Sequence, residues 1–88
     1  ILGMMNNKDH VEYISYFKDK ISSLTTVDIP NQPNAINGED LMKKLRNLKN
    51  VKYKKSIKEA ISSIDLKDKD IIIITGSLYL AGEVLNLN

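Results

Sequence analysis

The stretch Asp70-Ile-Ile-Ile-Ile-Thr-Gly-Ser-Leu-Tyr-Leu-Ala-Gly-Glu-Val-Leu85 decides the reading of this 88-residue chain. In it an apolar strand reaches Gly76-Ser77 and turns at once into a helix. Four consecutive isoleucines are too few to cross a membrane, which takes roughly 18 apolar residues or more, but they suit a strand in the middle of a sheet covered on both faces. A parallel strand followed by a glycine turn and a helix start makes a small anion-binding corner. Ile71–Ile74 are accordingly expected to form the densest core, and Ile73→Asp is expected to be severe.

Outward from that stretch the same alternation repeats. Upstream, Lys67–Asp70 reads as a charged turn, and the final helix is expected from Leu78 to about Leu87. Ser56 and Glu59 form a capping box ahead of Ile57, Ala60, Ile61 and Ile64, which gives a helix of about two turns. Val51 and Tyr53 alternate with Lys52 and Lys54, the pattern of a short half-buried strand nearer an edge than the isoleucine strand. Asn37 and Asp40 cap a helix whose stripe is Leu41, Leu45 and Leu48 and whose end is expected near Asn50. Pro30–Ile36 is an ordered loop held by two prolines, and Leu24–Ile29 is a Thr- and Val-rich strand stopped by Pro30. His10 to about Ser23 carries Val11, Ile14, Phe17 and Ile21 at helical spacing, with Asp9 as its cap and Asn6-Asn7 as the preceding turn.

The chain opens with Ile1-Leu-Gly-Met-Met5, a strand already under way, which we read as the cut edge of a larger parent. Four strand-helix pairs joined by short connections favour a three-layer αβα sheet, because parallel strands need crossovers and the helices cover both faces.

Composition narrows the function classes. The 42% hydrophobic content supports one modest core, and 13 Lys and Arg against 11 Asp and Glu leave a net charge of only +2. No nucleic-acid partner is expected. The basic run Lys43, Lys44, Arg46, Lys49, Lys52, Lys54, Lys55 and Lys58 crosses separate elements without interleaved aromatic rings and reads as a solvated face. Cysteine is absent and there is one histidine, so thiolate and multi-histidine metal sites are excluded. No apolar run is long enough for a membrane helix, and a soluble cytoplasmic protein is the expectation.

Gly76 and Ser77 are the leading site candidates. Ser77 can cap the helix or give its hydroxyl to a carboxylate, the amides after Gly76 offer further donors, and Thr75 is a weaker ligand candidate. Lys8 and Asp9 follow the first strand, where an ammonium can meet a phosphate or carboxylate and Asp9 can cap a helix or orient a positive group. His10, beside them, reads as an exposed or capped structural histidine rather than a catalyst. Tyr79 reads as a packing group, and Gly82 inside the last helix as a place of close packing. Asp68 and Asp70 fall in a charged turn and make neither a glycosidase pair nor a metal site.

Thr75-Gly-Ser-Leu-Tyr-Leu-Ala-Gly-Glu-Val-Leu85 closely resembles the terminal motif of the folylpolyglutamate synthase and dihydrofolate synthase family, within the larger Mur-ligase-like group. Gly3-Met-Met-Asn-Asn-Lys-Asp9 is similar to the glycine, variable loop and Lys-Asp pattern of the same family, with Asn7 where the family commonly has Asp. The resemblance implies a truncated Mur-ligase-type C-terminal domain, Rossmann-like, over residues 1–88. Such a domain closes over a central ATP-binding domain that these residues do not contain.

The implied activity of the parent is ATP-dependent ligation of L-glutamate to a folate, or addition to dihydropteroate, through an acyl phosphate organised by magnesium. Ser77 and Gly76 would then face the incoming glutamate, with Lys8 and Asp9 at the site or at domain closure. ATP and magnesium would be bound mainly by the missing N-terminal and central domains. The sequence has neither a phosphate-binding loop nor the family's Asp-Gly-Ala-His-Asn-Pro motif, and His10 cannot inherit that motif's histidine. Residues 1–88 alone are therefore expected to be inactive. The competing reading is a non-catalytic structural or interaction remnant of such a ligase.

Overall fold

The computed structural model describes residues 1–6, 9–48, 50–65 and 71–85. Its regular elements are α1 (His10–Ser15), β1 (Leu24–Thr26), α2 (Gly38–Lys44), β2 (Val51–Tyr53), α3 (Ile57–Ser63) and α4 (Leu78–Leu85). β1 and β2 pair in parallel, with Leu24, Thr25 and Thr26 opposite Val51, Lys52 and Tyr53. Two extended segments widen this sheet. Leu2 of the opening segment bridges in parallel to Thr26 on one side and to Thr75 on the other. The Leu2 amide donates to the Thr25 carbonyl at 2.8 Å, and the Val27 amide donates to the Leu2 carbonyl at 2.9 Å. Toward the isoleucine segment, the Ile1 nitrogen donates to the Ile73 carbonyl at 2.8 Å and the Thr75 amide donates to the Ile1 carbonyl at 3.0 Å.

Across the sheet the chain is therefore met as its third, second, first and fourth extended segments. Two apolar clusters flank it. Leu2, Met4 and Leu24 pack with Ile14 of α1 and with Leu41 and Leu45 near α2. Ile1, Val27 and Ile29 pack on the opposite face with Ile57 and Ala60 of α3 and Leu80 of α4. The odd-even division within the opening segment is the period-2 alternation of an extended chain, and it places helices on both faces. This is the expected three-layer αβα architecture.

The isoleucine segment departs from its expectation. It is the edge of the sheet among the described residues rather than its middle, and Ile71 and Ile73 are 84% and 57% exposed. Ile72 and Ile74 are half-buried against the α3–α4 side. Alternation turns Ile71 and Ile73 to the other face, where the helix cover lies over the opening segment and β1. The densest packing is at Leu2, Met4 and Val27 instead, each at most 2% exposed.

Local chemistry explains the helix boundaries. Asp9 Oδ1 accepts the Glu12 amide at 3.0 Å and starts α1 as expected. α1 stops at Ser15, short of Ser23, because the backbone tightens to three-residue turns: the Phe17 amide bonds Ile14 and the Lys20 amide bonds Phe17. His10 and Ile14 form its buried face, and Val11 points outward at 57% exposure.

Asn37 accepts the Glu39 and Asp40 amides and starts α2. That helix closes at Lys44 rather than near Asn50, and Asn50 then adopts a φ of 60° ahead of β2. In the α3 capping box, Ser56 Oγ accepts the Glu59 amide while Glu59 Oε2 accepts the Lys55 amide. Pro30–Ile36 is held by the end of the opening segment. The Asn6 amide bonds Asn34, the Ile36 amide bonds Met4, and Met5 bridges Ala35. The expected charged turn Lys67–Asp70 and the end of the last helix at Leu87 lie outside the described residues.

Candidate functional site

In a parallel sheet the loops beyond the carboxyl ends of the strands converge, and a crevice opens where neighbouring strands send their connections in opposite directions. Here that point lies between the opening segment, which continues toward β1, and the isoleucine segment on its other side. The connection after Met5 and the Thr75-Gly76-Ser77 turn both emerge there.

Three bonds hold Thr75. Its amide donates to Ile1, its carbonyl accepts from the Gly3 amide at 3.3 Å, and its hydroxyl shares a hydrogen bond with the Tyr13 phenol. Gly76 follows with a φ of +120°, and its backbone lies against the opening segment so closely that a Cβ would meet the Gly3 carbonyl oxygen, Leu2 and Met4. Both the positive φ and the close approach require glycine. Ser77 is half-buried. Its Oγ accepts the Tyr79 amide at 3.1 Å, and its carbonyl accepts the Ala81 amide at 3.1 Å, so it caps α4. Capping uses a lone pair of the hydroxyl and not its proton, so cap and ligand contact are chemically compatible.

Asp9 is exposed, and its carboxylate accepts the Glu12 amide. Lys8 and Asn7 lie outside the described residues. Gly76 and Ser77 follow the end of the isoleucine segment beside the opening segment, and Asp9 caps α1. His10 is 3% exposed, and its Nε2 hydrogen-bonds the Met5 carbonyl at 2.9 Å, tying the start of α1 to the end of the opening segment.

Two readings of α4 change. Tyr79 is 53% exposed rather than packed, and a Cβ on Gly82 would meet nothing within 4 Å among the described residues, so close packing against them does not explain that glycine. Leu80 of this helix is wholly buried.

A second polar knot lies beyond the ends of β1 and β2, and sequence reasoning missed it. Asp28 Oδ1 accepts the Gly38 amide at 2.7 Å, and its Oδ2 accepts the Tyr53 phenol at 2.8 Å. Burial, the hydrogen bond to Asp28 and the negative charges of Asp28, Glu39 and Glu59 push the Tyr53 phenol up to about 12. Thr26 Oγ1 donates to the Gly38 carbonyl at 2.6 Å, and a Cβ on Gly38 would collide with the Tyr53 ring. Asp28 is thereby committed to anchoring α2. Its signal was a carboxylate just after a strand and ten residues before a glycine at a helix start.

A cleft of about 490 Å³ lies beside the isoleucine segment and reaches Thr75. Phe17, Ile21, Ser23, Ile71 and Ile73 line it, whereas Gly76, Ser77 and Asp9 do not. It is the gap beside the uncovered isoleucines. The described residues of the basic run are spread over α2, β2 and α3 and the turns between them, with Lys43 paired to Glu39 at 3.9 Å. Among the described residues, no three His, Asp or Glu side chains gather to hold a metal ion, and no helix is long and apolar enough to cross a membrane.

Comparison with known proteins gives one family. Residues 1–78 match the family model of the Mur ligase, glutamate ligase domain. Nothing matches among curated proteins or solved structures. The match runs from the opening segment through Gly76 and Ser77 and so covers most of the chain. On that evidence the chain belongs to the Mur ligase glutamate ligase domain family.

Proposed function

We propose that this chain forms the glutamate-facing wall of an ATP-dependent ligase that adds L-glutamate to folate or dihydropteroate. One observation supports the reading: the two segments that resemble the folylpolyglutamate synthase and dihydrofolate synthase family, Gly3–Asp9 and Thr75–Leu85, begin on adjacent parallel segments joined by the Leu2–Thr75 bridge. Gly76 lets the turn pack closely against the opening segment, and Ser77 has a hydroxyl proton to give to a glutamate carboxylate. The amides at the start of α4 add partial positive charge on the same side. Asp9, with Lys8 beside it in sequence, is assigned to the site rim or to domain closure.

In such a ligase an acyl phosphate is attacked by the amino group of glutamate, and ATP with magnesium supplies the activation. The residues described here do not fit either group. They offer no converging ligand set for a hard cation, and the sequence has no phosphate-binding loop. No activation step is assigned to them. What these residues supply is a place for a carboxylate and a fixed orientation for the amine.

The test is titration of the isotope-labelled chain with L-glutamate, followed by backbone NMR. Shifts centred on Gly76 and Ser77 are expected, weakened several-fold in Ser77→Ala. No localised response well above a millimolar affinity would remove the reading and leave a structural or interaction role.

A further inference from the structure

We infer that Tyr13 is a positioning residue for the Gly76-Ser77 turn, acting through the side chain of Thr75. This inference rests on the glutamate-facing reading of the turn. Tyr13 lies 62 residues from Thr75 in sequence, on a different element, and their hydroxyls share a hydrogen bond. The ring end of Tyr13 is held as well: it packs against the core under α1, with the Phe17 ring tilted by 51° at a centroid distance of 5.6 Å. α1 itself is pinned at its start by the bond from His10 to the Met5 carbonyl and by the buried Ile14. One short helix thus grips both segments that flank the crevice, the opening segment through His10 and the isoleucine segment through Tyr13.

Thr75 needs that grip. It ends an edge segment whose outer face is exposed at Ile71 and Ile73, so side-chain packing restrains it weakly. Its backbone is tied to Ile1 and Gly3, and the bond to Tyr13 fixes the side chain immediately before the positive φ of Gly76. A turn that presents its amides and the Ser77 hydroxyl to a carboxylate loses affinity when those donors are free to shift. The Tyr13 phenol therefore sets ligand affinity without touching the ligand.

Tyr13→Phe, Thr75→Val and Thr75→Ser separate this role from general packing, since phenylalanine keeps the ring and serine keeps a hydroxyl. Amide shifts at Gly76 and Ser77 are recorded in the 88-residue chain without ligand, and L-glutamate is then titrated. Tyr13→Phe and Thr75→Val are each expected to displace the same amides and to weaken glutamate roughly threefold to tenfold, and the double variant is expected to lose no further affinity. Thr75→Ser is expected to restore both readouts. Unmoved Gly76 and Ser77 amides in Tyr13→Phe and Thr75→Val, or effects that add in the double variant, would overturn the inference. If the unaltered chain ignores glutamate while both single variants displace the turn together, the glutamate reading falls and the positioning role stands.

Discussion

The carbonyl oxygen of Gly3 occupies the place a side chain on Gly76 would need: an ideal Cβ there sits 2.3 Å from it, far inside contact distance. With a φ of +120°, Gly76 is doubly constrained. Gly76→Ala must strain the backbone and push the isoleucine segment away from the opening segment. We expect a loss of about 2–5 kcal/mol, read by urea unfolding. A loss under about 1 kcal/mol would show that the two segments are not in this contact.

Leu2 and Ile73 reverse the ranking expected from the run of isoleucines. Leu2 is fully buried and bridges both neighbouring segments, whereas Ile73 is 57% exposed at the edge. Leu2→Ala should cost about 2–5 kcal/mol, and Ile73→Asp about 1 kcal/mol or less. Thermal unfolding of the two variants gives the order directly. A larger loss in Ile73→Asp would return the isoleucine segment to the core.

The Tyr53 phenol has its pKa raised from 10.0 to about 12. The folded state therefore holds this proton more tightly than the unfolded chain. The associated stability is complete below pH 10 and is lost as pH rises toward 12. Tyr53→Phe should be less stable at pH 7 by roughly 1 kcal/mol through the lost bond to Asp28, and its melting temperature should fall less steeply between pH 10 and 12. Parallel pH profiles for the two proteins would count against the Asp28–Tyr53 bond.

Gly82 lies within α4, and among the described residues nothing stands where its side chain would go. Gly82→Ala should stabilise the chain by about 0.5–1 kcal/mol, because alanine orders more readily in a helix and meets no neighbour. A calorimetric melting temperature that stays level or falls would mean that this helix face is occupied.

Much of the architecture was legible because its signals are local. Asp9, Asn37 and Ser56 each cap the helix they were expected to cap, since a side-chain oxygen placed before an apolar period meets amides only two or three residues away. The alternation of strands and helices implied crossovers, and the two covered faces follow from it. Helix ends were less legible: α1 stops at Ser15 and α2 at Lys44, although apolar spacing continues past both. There the apolar residues remain useful to the core in turns, so periodicity outlasts the helix.

What the sequence by itself determined is the set of short-range devices: the caps, the turn at Gly76-Ser77, the layer order, and the motifs that point to a ligase domain. Which segment lies at the centre was decided only by tertiary structure. Four isoleucines state that a strand is apolar, but burial depends on which neighbours pair with it, and Leu2 took the position between two partners. The same holds for Tyr13 with Thr75 and Asp28 with Tyr53. Hydrogen bonds between residues 62 and 25 positions apart leave no periodic trace in the chain, because the crossovers, not the local spacing, bring those groups together.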